Sequence, residues 1–194
     1  MEKPGRHFEI MTDVYVEGRW YLVDPTDQNG VDVSNVFWRG TPARVAAPIR
    51  LGHSDAVPRG KPIDYTVVSG DYMPVVHPRV VEIFERLAPR DVEFVPATVD
   101  GFPDPYFIVN VLTVRRCVDE AACGRVAKYT EEDRKLFADR IGEYRSVRGL
   151  KIDKTQVQDA KVFLVWGWYA LIVAEEIKDA FEAAHVTGAK FVEV

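Results

Sequence analysis

Apolar residues downstream of Pro78 recur as Val80, Phe84, Leu87 and Ala88, a spacing that places them on one face of a helix. Pro78 suits the first helical position, where its missing N–H leaves no bond unmade, and Pro89 prevents continuation. Ile177, Ala180, Phe181 and Ala184 repeat the pattern near the C-terminus. There Glu175 and Glu176 stand at the positive start of the helix, His185 compensates its negative end, and Gly188 is placed to terminate the last turn.

Elsewhere the period shortens. Residues 92–99 and 106–114 are rich in β-branched and aromatic side chains and flank a turn-rich connector, 100–105, so they predict a β-hairpin. The second strand is apolar on both faces and reads as central, whereas Pro96 marks an edge or a bulge in its partner. Residues 145–152, 162–165 and 189–194 add further strands. Between Asp24 and Lys61 the punctuation is dense: Asp24-Pro25, Asn29-Gly30, Gly40-Thr41-Pro42, Pro48, Gly52, Pro58 and Gly60 predict short strands joined by turns. No internal repeat or low-complexity tract interrupts this order. The expected class is α+β, with a mainly antiparallel sheet, two principal helices and a loop-rich N-terminal third. We expect one domain over 1–194, with 1–62 as a loop-rich subregion.

Composition narrows the function classes. At 194 residues and 47% hydrophobic content, a core forms without disulfides or metal. A net charge of −5 argues against a dedicated binder of the phosphate backbone, so nucleic acid is not an expected partner. The acidic excess sits in the middle: residues 90–133 hold nine acids against five bases, and residues 134–161 eight bases against four acids. That asymmetry can shape an electrostatic face. Residues 1–7 lack the apolar core of a secretory signal, and the uncharged stretch 162–174 falls short of the ~20 residues of a spanning helix. The expectation is a cytoplasmic protein with no membrane association.

Motifs for chemistry are missing. Neither glycine-rich phosphate loop occurs, none of Ser34, Ser54, Ser69 and Ser146 sits in a nucleophile elbow, and His7, His53, His77 and His185 have no metal-ligand spacing. Cys117 and Cys123 read as free thiols. No catalytic residue, metal site or cofactor is assigned. Asp100 and Asp104, and likewise Asp24 and Asp27, are expected in turns, where Asp bonds its own backbone. Glu131, Glu132 and Asp133 follow Thr130, which can cap a short surface helix. Two aromatic clusters, Gly18-Arg19-Trp20-Tyr21 and Trp166-Gly167-Trp168-Tyr169, are assigned to core or subunit contact.

Three stretches carry a family resemblance: Val75-Val76-His77-Pro78-Arg79-Val80-Val81-Glu82, then Leu87-Ala88-Pro89-Arg90-Asp91-Val92-Glu93-Phe94-Val95-Pro96, then Tyr106-Phe107-Ile108-Val109-Asn110-Val111-Leu112. With Gly18-Arg19-Trp20-Tyr21-Leu22, the stretch from Leu171 to Phe181 and Thr187-Gly188-Ala189-Lys190-Phe191, they resemble the Imm11 immunity-protein family. The family often has Ser where this chain has Ala174. The resemblance implies an antitoxin of bacterial polymorphic-toxin and kin-discrimination systems, which binds a cognate toxin encoded by a neighbouring gene and needs no cofactor or turnover. Acidic surface would suit a basic toxin such as a nuclease. The charge census alone nominates Asp100, Asp104, Asp119, Glu120, Glu131, Glu132 and Asp133 as contacts. The alternatives are a hydrolase using dispersed carboxylates or His, and a ligand or scaffold module in which Trp20 or Trp168 lines an open cavity. A homo-oligomer is left open.

Overall fold

Strands covered on both faces need apolar residues on both, and the computed structural model builds its two main sheets around such strands. It describes residues 5–37, 40–54, 60–68 and 73–194. Residues 1–4, Pro58 and Ser69, all used in the sequence reading, lie outside these. In chain order the elements are β1 (His7–Thr12), β2 (Ile49–Leu51), β3 (Tyr65–Val68), β4 (Met73–Val76), α1 (Pro78–Leu87), β5 (Val92–Val99), β6 (Phe102–Val111), β7 (Val114–Arg115) and β8 (Arg125–Lys128). There follow α2 (Arg134–Phe137), β9 (Tyr144–Arg148), β10 (Val162–Val165), β11 (Leu171–Ala174), α3 (Glu175–Ala183) and β12 (Ala189–Glu193). One sheet has the order β12-β1-β11-β10-β7, a second β2-β5-β6-β4-β3, and β8 pairs with β9. Only β10 with β7 and β2 with β5 run parallel among the paired strands described, so the α+β, mainly antiparallel expectation holds.

Both helices form where the periodicity places them. In α1, His77 Nδ1 accepts the Arg79 N–H at 3.4 Å and Pro78 occupies the first turn. Phe84 of α1 meets Phe181 of α3 at 5.5 Å between ring centroids. Their inner faces close a core shared by both sheets: Phe8 and Ile10, Val76, Val109, Val162 and Val173 belong to it. Alternation then assigns the other faces. Tyr106 and Ile108 of β6 point into a second cluster under the N-terminal loops, with Trp20, Ile49 and Leu51. Phe163 and Ile172 point into a third, with Cys117 and Val194.

The C-terminal end of α3 corrects the sequence reading. The left-handed residue is His185 (φ 51), not Gly188. Val186 N–H donates to Phe181 O and His185 N–H to Glu182 O, both at 3.0 Å, which is the paired-bond helix stop. Gly188 (φ 90) lies in the next turn, where an added Cβ would stand 2.2 Å from Tyr65 O. At the other end Ala174 has N-cap backbone angles but offers no side-chain acceptor. Ala174→Ser is therefore expected to raise stability by about 1 kcal/mol, read as a higher urea midpoint at unchanged slope.

The hairpin also shifts. Its turn is only Asp100 and Gly101, and β6 begins at Phe102, so Asp104 is an exposed strand residue and not a turn residue. Pro96 lies just before the stretch of β5 that β2 covers, Ala97–Val99, and next to an irregularity in register, consistent with an edge or bulge position. Residue 114 leaves the predicted strand altogether. The chain bends after Val111, and Val114 crosses to pair with Leu164 in the other sheet. Residues 145–152 give a shorter strand than expected, β9, because the chain turns away at Gly149.

Candidate interaction site

The uncharged stretch 162–174 folds as two strands and a reversal. Val165 N–H donates to Ala170 O at 3.1 Å and Trp168 N–H to Val165 O at 3.3 Å, so residues 166–169 are the hairpin turn joining β10 to β11. Of their two assignments, core or subunit contact, this corrects the core one. Trp168 packs against the third cluster on one side, Trp166 is half-buried, and Tyr169 is 38% exposed. Gly167 (φ 69) is needed at the tip, because a Cβ there would lie 3.2 Å from Glu143 Cα. Its carbonyl accepts the Tyr144 N–H at 2.9 Å, which docks β9 against the turn.

A second segment faces this turn. Tyr129 N–H donates to Glu143 O and Gly142 N–H to Tyr129 O, both at 2.9 Å, so the excursion 130–141 is clamped at its ends. Thr130 starts it as expected: Asp133 Oδ2 accepts the Thr130 N–H at 2.9 Å, and the tight turn Glu131–Asp133 leads into α2. Phe137 stacks on Tyr129 at 5.0 Å yet remains 37% exposed, and neighbouring Leu136 is 79% exposed. The Arg140 guanidinium lies 4.6 Å from the Tyr129 ring centre and 5.1 Å from that of Tyr169, bridging the two segments. Its Nε donates to Glu143 Oε2 at 2.9 Å and Nη1 to Tyr129 Oη at 3.2 Å. Burial opposes the charge of Arg140, but the Glu143 hydrogen bond and the two phenols hold its pKa above the usual value. Between the segments opens a cleft of about 530 Å³, walled by Val114, Leu164 and 166–169 on one side and by Asp139, Arg140 and Glu143 on the other.

Five of the seven acidic candidates stand on the strands and loops around this framework. Glu120 accepts from Tyr144 Oη at 2.9 Å and pairs with Lys128 Nζ at 2.5 Å. The Lys128 hydrogen bond, then that of Tyr144, holds the Glu120 carboxyl below its ordinary range. Burial, followed by Glu120, pushes the Tyr144 hydroxyl up to about 12. Glu131 is held low by Arg134, 2.5 Å away, and Asp133 also meets Arg145 at 3.3 Å. Asp119 Oδ1 accepts the Ala122 N–H at 3.1 Å, and Glu132 is exposed. The other two, Asp100 and Asp104, lie on the β5–β6 hairpin of the second sheet, where Asp100 pairs with Arg50 at 3.3 Å. The charge census missed the arginine–aromatic contacts, whose partners come from separate parts of the chain. The signal available was Tyr129, Phe137 and Arg140 within one polar segment, beside the aromatic run at 166–169.

Trp20 lines no part of this cleft; it is fully buried. Both cysteines are free; burial pushes the Cys117 thiol up to about 11. Among the described residues no three His, Cys, Asp or Glu side chains are grouped to hold a metal ion, and no helix is long and apolar enough to cross a membrane. A model of the immunity protein family Imm11 matches residues 4–194. No curated protein matches the chain.

Proposed function

The chain belongs to the Imm11 immunity protein family, and on that premise we propose that it neutralises a cognate bacterial toxin by one-to-one association, without turnover. The observation that carries this reading is the extent of the family match, 4–194, which takes in both sheets and all three helices described. The partner is the product of a neighbouring toxin gene, and the setting is the cytoplasm of a cell equipped for kin discrimination. The protein works as one unit over 1–194. Exposed Tyr169, Leu136 and Phe137 beside arginines and a charged rim support a binding role, since protein interfaces concentrate Tyr, Trp and Arg at their centres within polar surroundings. Asp119, Glu120, Glu131, Glu132 and Asp133 supply acidic rim contacts, and Asp100 and Asp104 a second acidic point. Such a surface favours a basic toxin, a nuclease in particular, because opposite charge speeds encounter.

Co-expression with the neighbouring toxin is expected to restore growth, and the purified pair to form a complex that saturates at one equivalent. Titration calorimetry together with the growth assay checks both. Lack of rescue while both proteins are present would refute the role, and inactivation of excess toxin by a small fraction of this protein would refute the stoichiometric mode. Trp168 at the cleft gives a small-ligand module its best support. That reading requires a low-molecular-weight compound to shift the melting temperature and to be displaced by substitution at Trp168.

A further inference from the structure

Arg116 differs from the other arginines around the cleft. Arg140 is held by Glu143, Arg134 by Glu131 and Arg145 by Asp133. Arg115, the preceding residue, gives Nε to Val157 O at 2.9 Å. Arg116 is exposed, and its guanidinium carbon stands 3.5 Å from the centre of the Trp166 ring, which itself walls the cleft. No hydrogen bond or ion pair joins it to any other described residue. Stacking restricts the long side chain of this exposed arginine, so little further ordering is needed for its guanidinium to accept a planar anion with two parallel bonds. Backbone geometry holds the arrangement: Val114 and Arg115 pair in parallel with Leu164 and Val165, and Trp166 N–H donates to Arg115 O at 2.8 Å. The two members of the stack therefore directly follow a pair of hydrogen-bonded strands.

We propose that Arg116 stacked on Trp166 is a preformed carboxylate anchor, and that its occupant is an Asp or Glu side chain of the toxin, whose neighbouring apolar residue enters the cleft beside Trp168 and Tyr169. The proposal rests on the immunity role above and adds its polarity. Within a surface of acidic rim positions, a cation held by stacking and without an ion pair among the described residues fixes the register of the bound toxin by demanding a negative charge opposite it.

The test is titration calorimetry of the full-length protein with the catalytically inactivated toxin encoded beside it, comparing wild type, Arg116→Ala, Arg116→Lys and, as a control on α1, Arg86→Ala. Arg116→Ala is expected to weaken binding by about 30-fold or more, as central arginines of interfaces do. Arg116→Lys should recover only part of that, since it keeps the charge and loses the fork, and Arg86→Ala should bind like wild type. Unchanged melting temperatures establish that the exposed variants are folded. Pairing Arg116→Glu with an Asp or Glu→Arg substitution in the toxin should restore affinity that each change alone removes. Wild-type binding with an Arg116→Ala affinity within about threefold of it would overturn the anchor and leave the immunity role standing, whereas no wild-type complex would overturn both. A change in self-association on Arg116→Ala, seen by sedimentation without loss of toxin affinity, would assign the site to a second copy of this chain and also overturn the proposal.

Discussion

Replacing Trp20 by alanine is expected to destabilise the protein by about 3–5 kcal/mol, the range for deleting a large aromatic ring from a core. The ring is 0% exposed and has the edges of Phe102 and Tyr106 at centroid distances of 5.2 and 4.9 Å. Ile49, Leu51, Val75 and Ile108 belong to the same cluster. These are the faces of β2, β4 and β6, so the cavity would open between the second sheet and the loops that cover it. Trp20→Phe separates packing from polarity. The Trp20 indole N–H has no hydrogen-bond partner among the described residues, and an unsatisfied buried donor costs about 1–3 kcal/mol. Phenylalanine relieves that cost while leaving a smaller void, so its loss should be less than half that of alanine. Urea unfolding with unchanged slope measures both. A loss below about 1 kcal/mol for Trp20→Ala would mean that the ring is not the keystone of this cluster.

Elements whose reasons are local were readable in the sequence. The i, i+4, i+7 stripe of α1 and its bracketing prolines needed no distant partner, and Val92–Val99 appears with the predicted bounds. Elements whose reasons are remote were not. β1 is a strand because β11 and β12, at the other end of the chain, pair with it on either side. His185 takes the left-handed position although Gly188 follows three residues later, because the tertiary contact at Tyr65 O claims the glycine. The interaction site divides in the same way. Thr130 as the start of a short helix was legible, since a cap is a contact between near neighbours. Arg140 between Tyr129 and Tyr169 was not, and neither was Arg116 on Trp166: each pairing is created by the approach of the clamped loop or of β7 to the β10–β11 turn. A census of charge along the chain finds acidic rim residues but is blind to which cation is held by an aromatic ring and not by a carboxylate.

Asp91 links that site to the stability of the fold. Its carboxylate accepts from Thr113 Oγ1 at 2.9 Å, Lys161 N–H at 2.9 Å and Val162 N–H at 3.1 Å, and its carbonyl accepts Leu112 N–H at 2.7 Å. One residue at the start of β5 thus fixes both the bend that sends Val114 out of the second sheet and the first residues of β10 in the other. Asp91→Ala leaves three donors without their acceptor, two of them backbone N–H groups at the head of a strand buried on both faces. The expected cost is about 2–4 kcal/mol, since bonds to a charged acceptor are worth roughly twice neutral ones and the stranded donors add their desolvation. Asp91→Asn keeps one oxygen for the two backbone donors, and the Thr113 hydroxyl can turn to accept from the new amide, so it should lose about 1 kcal/mol. The consequence reaches the interaction site through geometry. Arg116 and Trp166 directly follow β7 and β10, whose register is set beyond the bend that Asp91 holds. Under conditions where Asp91→Asn remains folded, toxin affinity is therefore expected to fall along with stability, while Trp20→Phe, which acts in a different cluster, should lose stability and keep its affinity. Equal affinities for the two variants would detach the anchor from the bend.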